Sequence, residues 1–96
     1  KTMDAKNTIV AELINKEDIK NHKIINAPES HVSELRYKLQ SAVRLGNEFK
    51  SKSVITFNTT DGAKRVETTV WMLTENYLQL KNGIMIPLSS LLDLDY

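Results

Sequence analysis

The sequence predicts an α+β protein: two N-terminal helices packed on a small five-stranded antiparallel barrel. Three observations carry that expectation. Residues 54–88 hold four β-branched or alternating segments separated by turn residues. Asp61-Gly62 and Asn82-Gly83 are hairpin signals, since these residues tolerate the positive φ of tight turns, and Asn82-Gly83 suits a type I′ turn. After Pro28, apolar residues recur at three and four, the period of a helix with one buried face.

In chain order, Ala5, Ile9 and Leu13 share a stripe with Val10 and Ile14 beside it, which predicts a short amphipathic helix over 4–15. Residues 16–23 are polar around a lone Ile19 and either extend that helix or form a solvated loop. Ile24-Ile25 is a small apolar anchor before Pro28, whose ring disfavours helix at the preceding residue. A second helix then starts at Pro28-Glu29-Ser30, with Ser30 as its cap. It carries Val32, Leu35, Leu39, Ala42 and Val43 on one stripe and stops at Gly46-Asn47. Glu34 and Lys38, four apart, form a favourable pair that marks the exposed face. Residues 47–53 are a linker in which Phe49 is expected to tuck into the junction.

The strands follow. Val54-Ile55-Thr56-Phe57 is β-branched and aromatic, and 64–73 alternates Arg65, Glu67 and Thr69 with Val66, Thr68 and Val70. Thr74-Glu75-Asn76 breaks that run, 77–80 alternates again, and 84–86 is the partner across Asn82-Gly83. Pro87 lacks an amide proton, so its strand ends there or lies at an edge. Ser89-Ser90 suits one helical turn, and 91–96 sets Leu92, Leu94 and Tyr96 against Asp93 and Asp95, as a short closing strand does. Five strands with a helical turn before the last have the element order of an SH3-like barrel, and closure would hide the two edges of a flat meander. Trp71 shares the polar parity of Glu67 and Thr69, so the second helix is expected to dock over it.

The whole chain, 1–96, reads as one domain with a helical part at 1–46 and the barrel at 53–96. A formal charge of +1 and 41% hydrophobic content carry neither a nucleic-acid nor an acidic-substrate signature. Charge is uneven: ten Lys or Arg face seven Asp or Glu before Ser53, and three face five from there on. The absence of cysteine excludes a disulfide framework, a thiol nucleophile and a thiolate metal site, and points to a reducing, cytoplasmic setting. No apolar run is long enough for a membrane span. No leader is visible, and a chain opening at Lys1 is expected to have been trimmed of a preceding segment.

No catalytic motif stands out. Asp18 and His22 would share a helical face, but two histidines and scattered carboxylates fall short of a divalent site, and serines lack a nucleophile turn or a histidine partner. No cofactor or metal is expected, and Asp93 and Asp95 read as a solvated strand face. Two surfaces are candidates for binding. On the second helix Arg36, Gln40 and Arg44 line one side with Tyr37 adjacent, and Lys50 and Lys52 follow, a basic strip with one aromatic suited to phosphates. On the strand at 77–80, Tyr77, Gln79 and Lys81 alternate beside a turn, as aromatic residues do where small barrels cradle peptides.

The run Thr69-Val70-Trp71, Thr74-Glu75, Leu80-Lys81-x-Gly83, Ile86-Pro87 resembles the C-terminal half of a family of small bacterial proteins. The resemblance covers roughly the last half of the chain. It implies the barrel fold and a cytoplasmic bacterial setting, and supplies no activity and no functional residue.

The expectation is therefore a non-enzymatic binding or adaptor module acting through a protein partner or a homodimer, with self-association through Ala5, Ile9, Leu13 and Ile14. The rival expectation is a nucleic-acid-binding regulator using the basic face of the second helix. The candidate binding residues are Arg36, Tyr37, Arg44, Tyr77 and Lys81.

Overall fold

Two glycine turns organise the sheet in the computed structural model, which describes residues 11–96. Strand β2 (Lys52–Thr59) turns at Thr60-Asp61 into the long β3 (Gly62–Leu73), and β4 (Tyr77–Leu80) turns into β5 (Met85–Pro87). Within these two turns only the glycines have positive φ, Gly62 at 102° and Gly83 at 86°. A type I′ turn needs two such residues, so that expectation is corrected. Each glycine instead occupies the fourth position of its turn, where the Gly83 N–H closes on the Leu80 carbonyl at 2.9 Å.

A short 3-10 helix, Leu88–Ser90, leads into β6 (Leu91–Asp95), and the sheet order is β5-β4-β3-β2-β6. All of these pairings are antiparallel. The two-residue β1 (Glu12–Leu13) lies parallel to β3, with Glu12 opposite Lys64, on the edge that β2 does not use. Among the described residues the sheet thus has six strands and is open, with β5 and β6 as the ends of its path. This overturns the closed five-stranded SH3-like barrel. Closure was inferred from the need to hide strand edges, but these edges are managed otherwise. β5 has three residues and ends on Pro87, and β6 carries Asp93 and Asp95.

One long helix, α1 (Val32–Phe49), replaces the expected pair. The first helix is corrected at Glu12–Leu13, which is strand; its residues 4–10 lie outside the described residues. The open edge of β3 offers these residues hydrogen bonds that a helix would forgo. Ile14 N–H donates to the Arg65 carbonyl at 2.8 Å, Arg65 Nε to the Ala11 carbonyl at 3.2 Å, and Lys64 Nζ meets Glu12 Oε1 at 2.6 Å. Residues Lys16–Asn21 form a 3-10 helix that inserts Ile19 into the core. Ile24 then bridges to Thr59.

The apolar stripe of α1 packs as its spacing predicts. Leu35, Leu39 and Ala42 are buried with Ile55, Phe57, Val66, Val70, Leu78, Leu80, Ile86, Leu91 and Leu94. Full burial of one such large side chain contributes about 1.5–3 kcal/mol. The ends of α1 differ from expectation. His31, not Ser30, precedes the first helical residue, and Ser30 Oγ is 3.5 Å from the Val32 N–H. At the other end Gly46-Asn47 does not stop the helix. A side chain at Gly46 would come within 3.0 Å of the Val70 carbonyl oxygen, so this glycine serves close approach of α1 to β3. The helix ends at Lys50, which takes the left-handed conformation at φ 55° and donates its N–H to the Gly46 carbonyl at 3.0 Å. Lys38 turns from Glu34 to Asp93 (3.7 Å) and Asp95 (4.0 Å), while Glu34 meets His31 at 3.0 Å. Among the described residues no helix is long and apolar enough to cross a membrane.

Candidate functional site

The register of β3 against β4 shifts at one place, and the candidate site lies there. Val70 pairs with Leu80 and Met72 with Gln79, leaving Trp71 as an extra residue without a partner on β4. Such a bulge re-aims side chains. Consequently Trp71 and Met72 are consecutive and both half bare, 47% and 48% exposed, where a regular strand would hide one of them. The expected docking of the second helix over Trp71 is corrected. The helix does cover the sheet, but through Leu35, Leu39, Ala42 and Gly46. Phe49 also stays out of the junction, at 69% exposed.

Between the exposed flank of α1 and this bulge runs an open trough of about 360 Å³, lined by Gln40, Val43, Arg44 and Asn47 from the helix and by Trp71, Met72 and Leu73 from β3. Gly46 sets its width, because contact with Val70 holds the helix one residue from Trp71. Two smaller recesses share residues with it. One is formed by Tyr37, Gln40, Ser41 and Arg44 along the helix, the other by Lys50, Thr69, Trp71 and Lys81 across the sheet. Thr69, nearly buried, fastens both lysines. Its hydroxyl donates to the Lys50 carbonyl at 3.3 Å, and its own carbonyl accepts the Lys81 N–H at 2.9 Å.

The electrostatics of this surface are one-signed. Arg44, Lys50 and Lys81 line the three recesses, and none of the lining residues is acidic. Among the described residues none of these three cations is in an ion pair, whereas Lys16, Lys38 and Lys64 are.

The five residues proposed from sequence fall in different places. Tyr37, Arg44 and Lys81 reach the trough system, Arg36 is exposed on α1 outside it, and Tyr77 lines a separate depression with Val32, Glu75, Pro87 and Leu88. Gln40 and Lys50 belong to the basic strip read from sequence, whereas Trp71, Met72 and Asn47 are not singled out there for binding. The signal for Trp71 was present, an indole on the polar parity of its strand, but was read as a request for cover. For self-association, Ala5 and Ile9 lie outside the described residues; Leu13 is 59% exposed and Ile14 is partly buried against the core.

The remaining polar groups are arranged in pairs. His22 Nδ1 meets Asp61 at 3.1 Å, tying the 3-10 segment to the β2–β3 turn, and this replaces the expected Asp18 neighbour. The Lys64 ammonium, hydrogen-bonded to Glu12 and attracting its charge, holds the Glu12 carboxyl below its usual range. Among the described residues no three His, Asp or Glu side chains group as metal ligands do. Comparison with known protein families, curated proteins and solved structures finds no match.

Proposed function

We propose that the protein is a non-enzymatic binding module whose partner docks in the trough between α1 and the bulge of β3. The observation that supports this reading is the half-bare Trp71 beside Met72, flanked by Arg44, Lys50 and Lys81 with no lining carboxylate. An exposed indole leaves apolar area in water unless a partner covers it, and indole and guanidinium groups dominate binding energy where they are found at interfaces. The surface is also built on firm supports. The helix wall is held by the Gly46 contact and the main chain of both lysines by Thr69, so the backbone of the trough needs little ordering on docking.

The test is crosslinking in cell extract with the parent chain, Trp71→Ala, Arg44→Glu and, as a control outside the trough, Tyr77→Ala. A partner captured by the parent and by Tyr77→Ala but lost from the two trough variants supports the site. Equal capture by the parent and all three variants removes it.

A further inference from the structure

We propose that the trough takes single-stranded nucleic acid, a base stacking on the Trp71 indole while Arg44, Lys50 and Lys81 meet the phosphates; this rests on the trough being the binding site. Charge complementarity is the first argument. A surface with three cations and no lining carboxylate attracts a polyanion even on a chain whose net charge is only +1, because screening confines the interaction to local charges.

The second argument is the distribution of groups along the trough. Arg44 stands on the helix wall, and Lys50 and Lys81 line a recess that shares the Trp71 indole with the trough, so cations border one aromatic platform. That is the arrangement by which proteins hold unpaired strands, backbone on cations and bases on aromatic faces. Gln40 and Asn47 add amides that both donate and accept, able to meet base edges without demanding one base.

The third argument concerns the other polyanion, an acidic peptide. Extended peptides gain affinity by joining a strand edge. Here residues 70–73 of β3 pair with β4 along one edge, β2 reaches only to Thr69 on the other, where the Gly46 turn of α1 closes on the Val70 carbonyl, and Lys81 N–H already occupies the Thr69 carbonyl beside the trough. A peptide would find at most the short free edge of residues 71–73 beside the packed helix, whereas a nucleic-acid strand needs no ladder.

Trp71 is the sole tryptophan, so its emission reports the site directly. The full chain is titrated with short oligothymidylate and oligouridylate, and in parallel with polyglutamate. The strands are expected to quench Trp71, and the affinity to fall with salt at a log–log slope of about −2, from three phosphates at ~0.7 each. Followed by anisotropy of a labelled strand, Trp71→Ala is expected to weaken binding roughly five- to a hundred-fold. Joint Lys50→Glu and Lys81→Glu removes it, while Arg36→Ala and Tyr77→Ala retain it. Quenching by polyglutamate with none by oligonucleotides overturns this occupant and leaves the trough reading standing. Strand binding that is unchanged in Trp71→Ala and in the charge-reversed protein overturns the trough as well. No response to any strand at low salt overturns the proposal.

Discussion

Replacing Gly46 with alanine is expected to destabilise the protein, although the same change on a solvated helix face stabilises. Gly46 lies inside α1 with ordinary helical backbone, so alanine gains about 1 kcal/mol in helix propensity. Against this, the added methyl would sit within 3.0 Å of the Val70 carbonyl oxygen, 3.1 Å from Thr69 Cγ2 and 3.3 Å from the Val70 carbonyl carbon. Two of these neighbours are backbone atoms of β3, which cannot rotate aside. Overpacking costs about 1–3 kcal/mol, and a rigid neighbour puts the cost at the upper end of that range. The net loss is then about 2 kcal/mol. For a domain of this size each kcal/mol moves Tm by roughly 4–8 °C, so a fall of roughly 8–16 °C is expected in thermal melts followed by circular dichroism. Moving α1 away from Val70 also widens the trough, so the emission of Trp71 should shift to the red. A Tm equal to or above the parent's would refute the close approach and the trough geometry that depends on it.

Three further outcomes follow from the packing and the charge pairs. Leu39→Ala, at a site 1% exposed under the middle of α1, is expected to cost about 2–5 kcal/mol in denaturant unfolding. Trp71→Ala should cost only about 2 kcal/mol, against ~3–5 for a fully buried tryptophan, because half of the ring is already in water; a loss at the buried level would mean that the helix covers it. Glu12 has its carboxyl pKa lowered by the hydrogen bond and charge of Lys64, so its contribution is full above the ordinary carboxylate range and disappears as pH falls through the lowered folded value. The Tm gap between the parent and Glu12→Gln should therefore be open at neutral pH and close in acid, and a gap constant with pH counts against the β1–β3 pairing as drawn.

The sheet was legible where local chemistry decides it. Alternation in 64–73 and 77–80, the Asp-Gly and Asn-Gly turns and the proline at 87 all mark strand positions in β2 through β6. What period-two reasoning cannot show is an inserted residue. The bulge at Trp71 changes the face of everything after it, and no residue type near Val70-Trp71-Met72 announces it. The helix end was misread for a related reason. Glycine followed by asparagine has the composition of a stop, yet Gly46 is required by a tertiary contact with Val70 that sequence spacing does not contain. Likewise Glu12–Leu13 has helical spacing with its neighbours, but the free edge of β3 beside Lys64 and Arg65 outweighs that weak preference. Closure of the sheet was an argument from edges alone, and short length, proline and charge protect them without it.

Of the candidate site, the residues that sequence could find are those whose chemistry is plain on a helix face or beside a turn, Tyr37, Arg44 and Lys81. Lys50 is legible as part of the basic strip, but its place beside Trp71 and Lys81 is not, because that depends on the left-handed end of α1 and on Thr69, which lies nineteen positions away. Asn47 becomes relevant only once the bulge puts Trp71 and Met72 opposite it, and Gln40, legible in the basic strip, gains that apolar neighbour by the same bulge.

The most direct measurement is the quenching of Trp71 fluorescence in the parent chain by iodide, caesium and neutral acrylamide. A half-bare indole ringed by Arg44, Lys50 and Lys81 is accessible to acrylamide and is quenched far more by iodide than by caesium, with the preference lost after charge reversal of the two lysines. Blue-shifted emission with weak quenching by all three, or equal quenching by the two ions, would contradict the cation-lined trough.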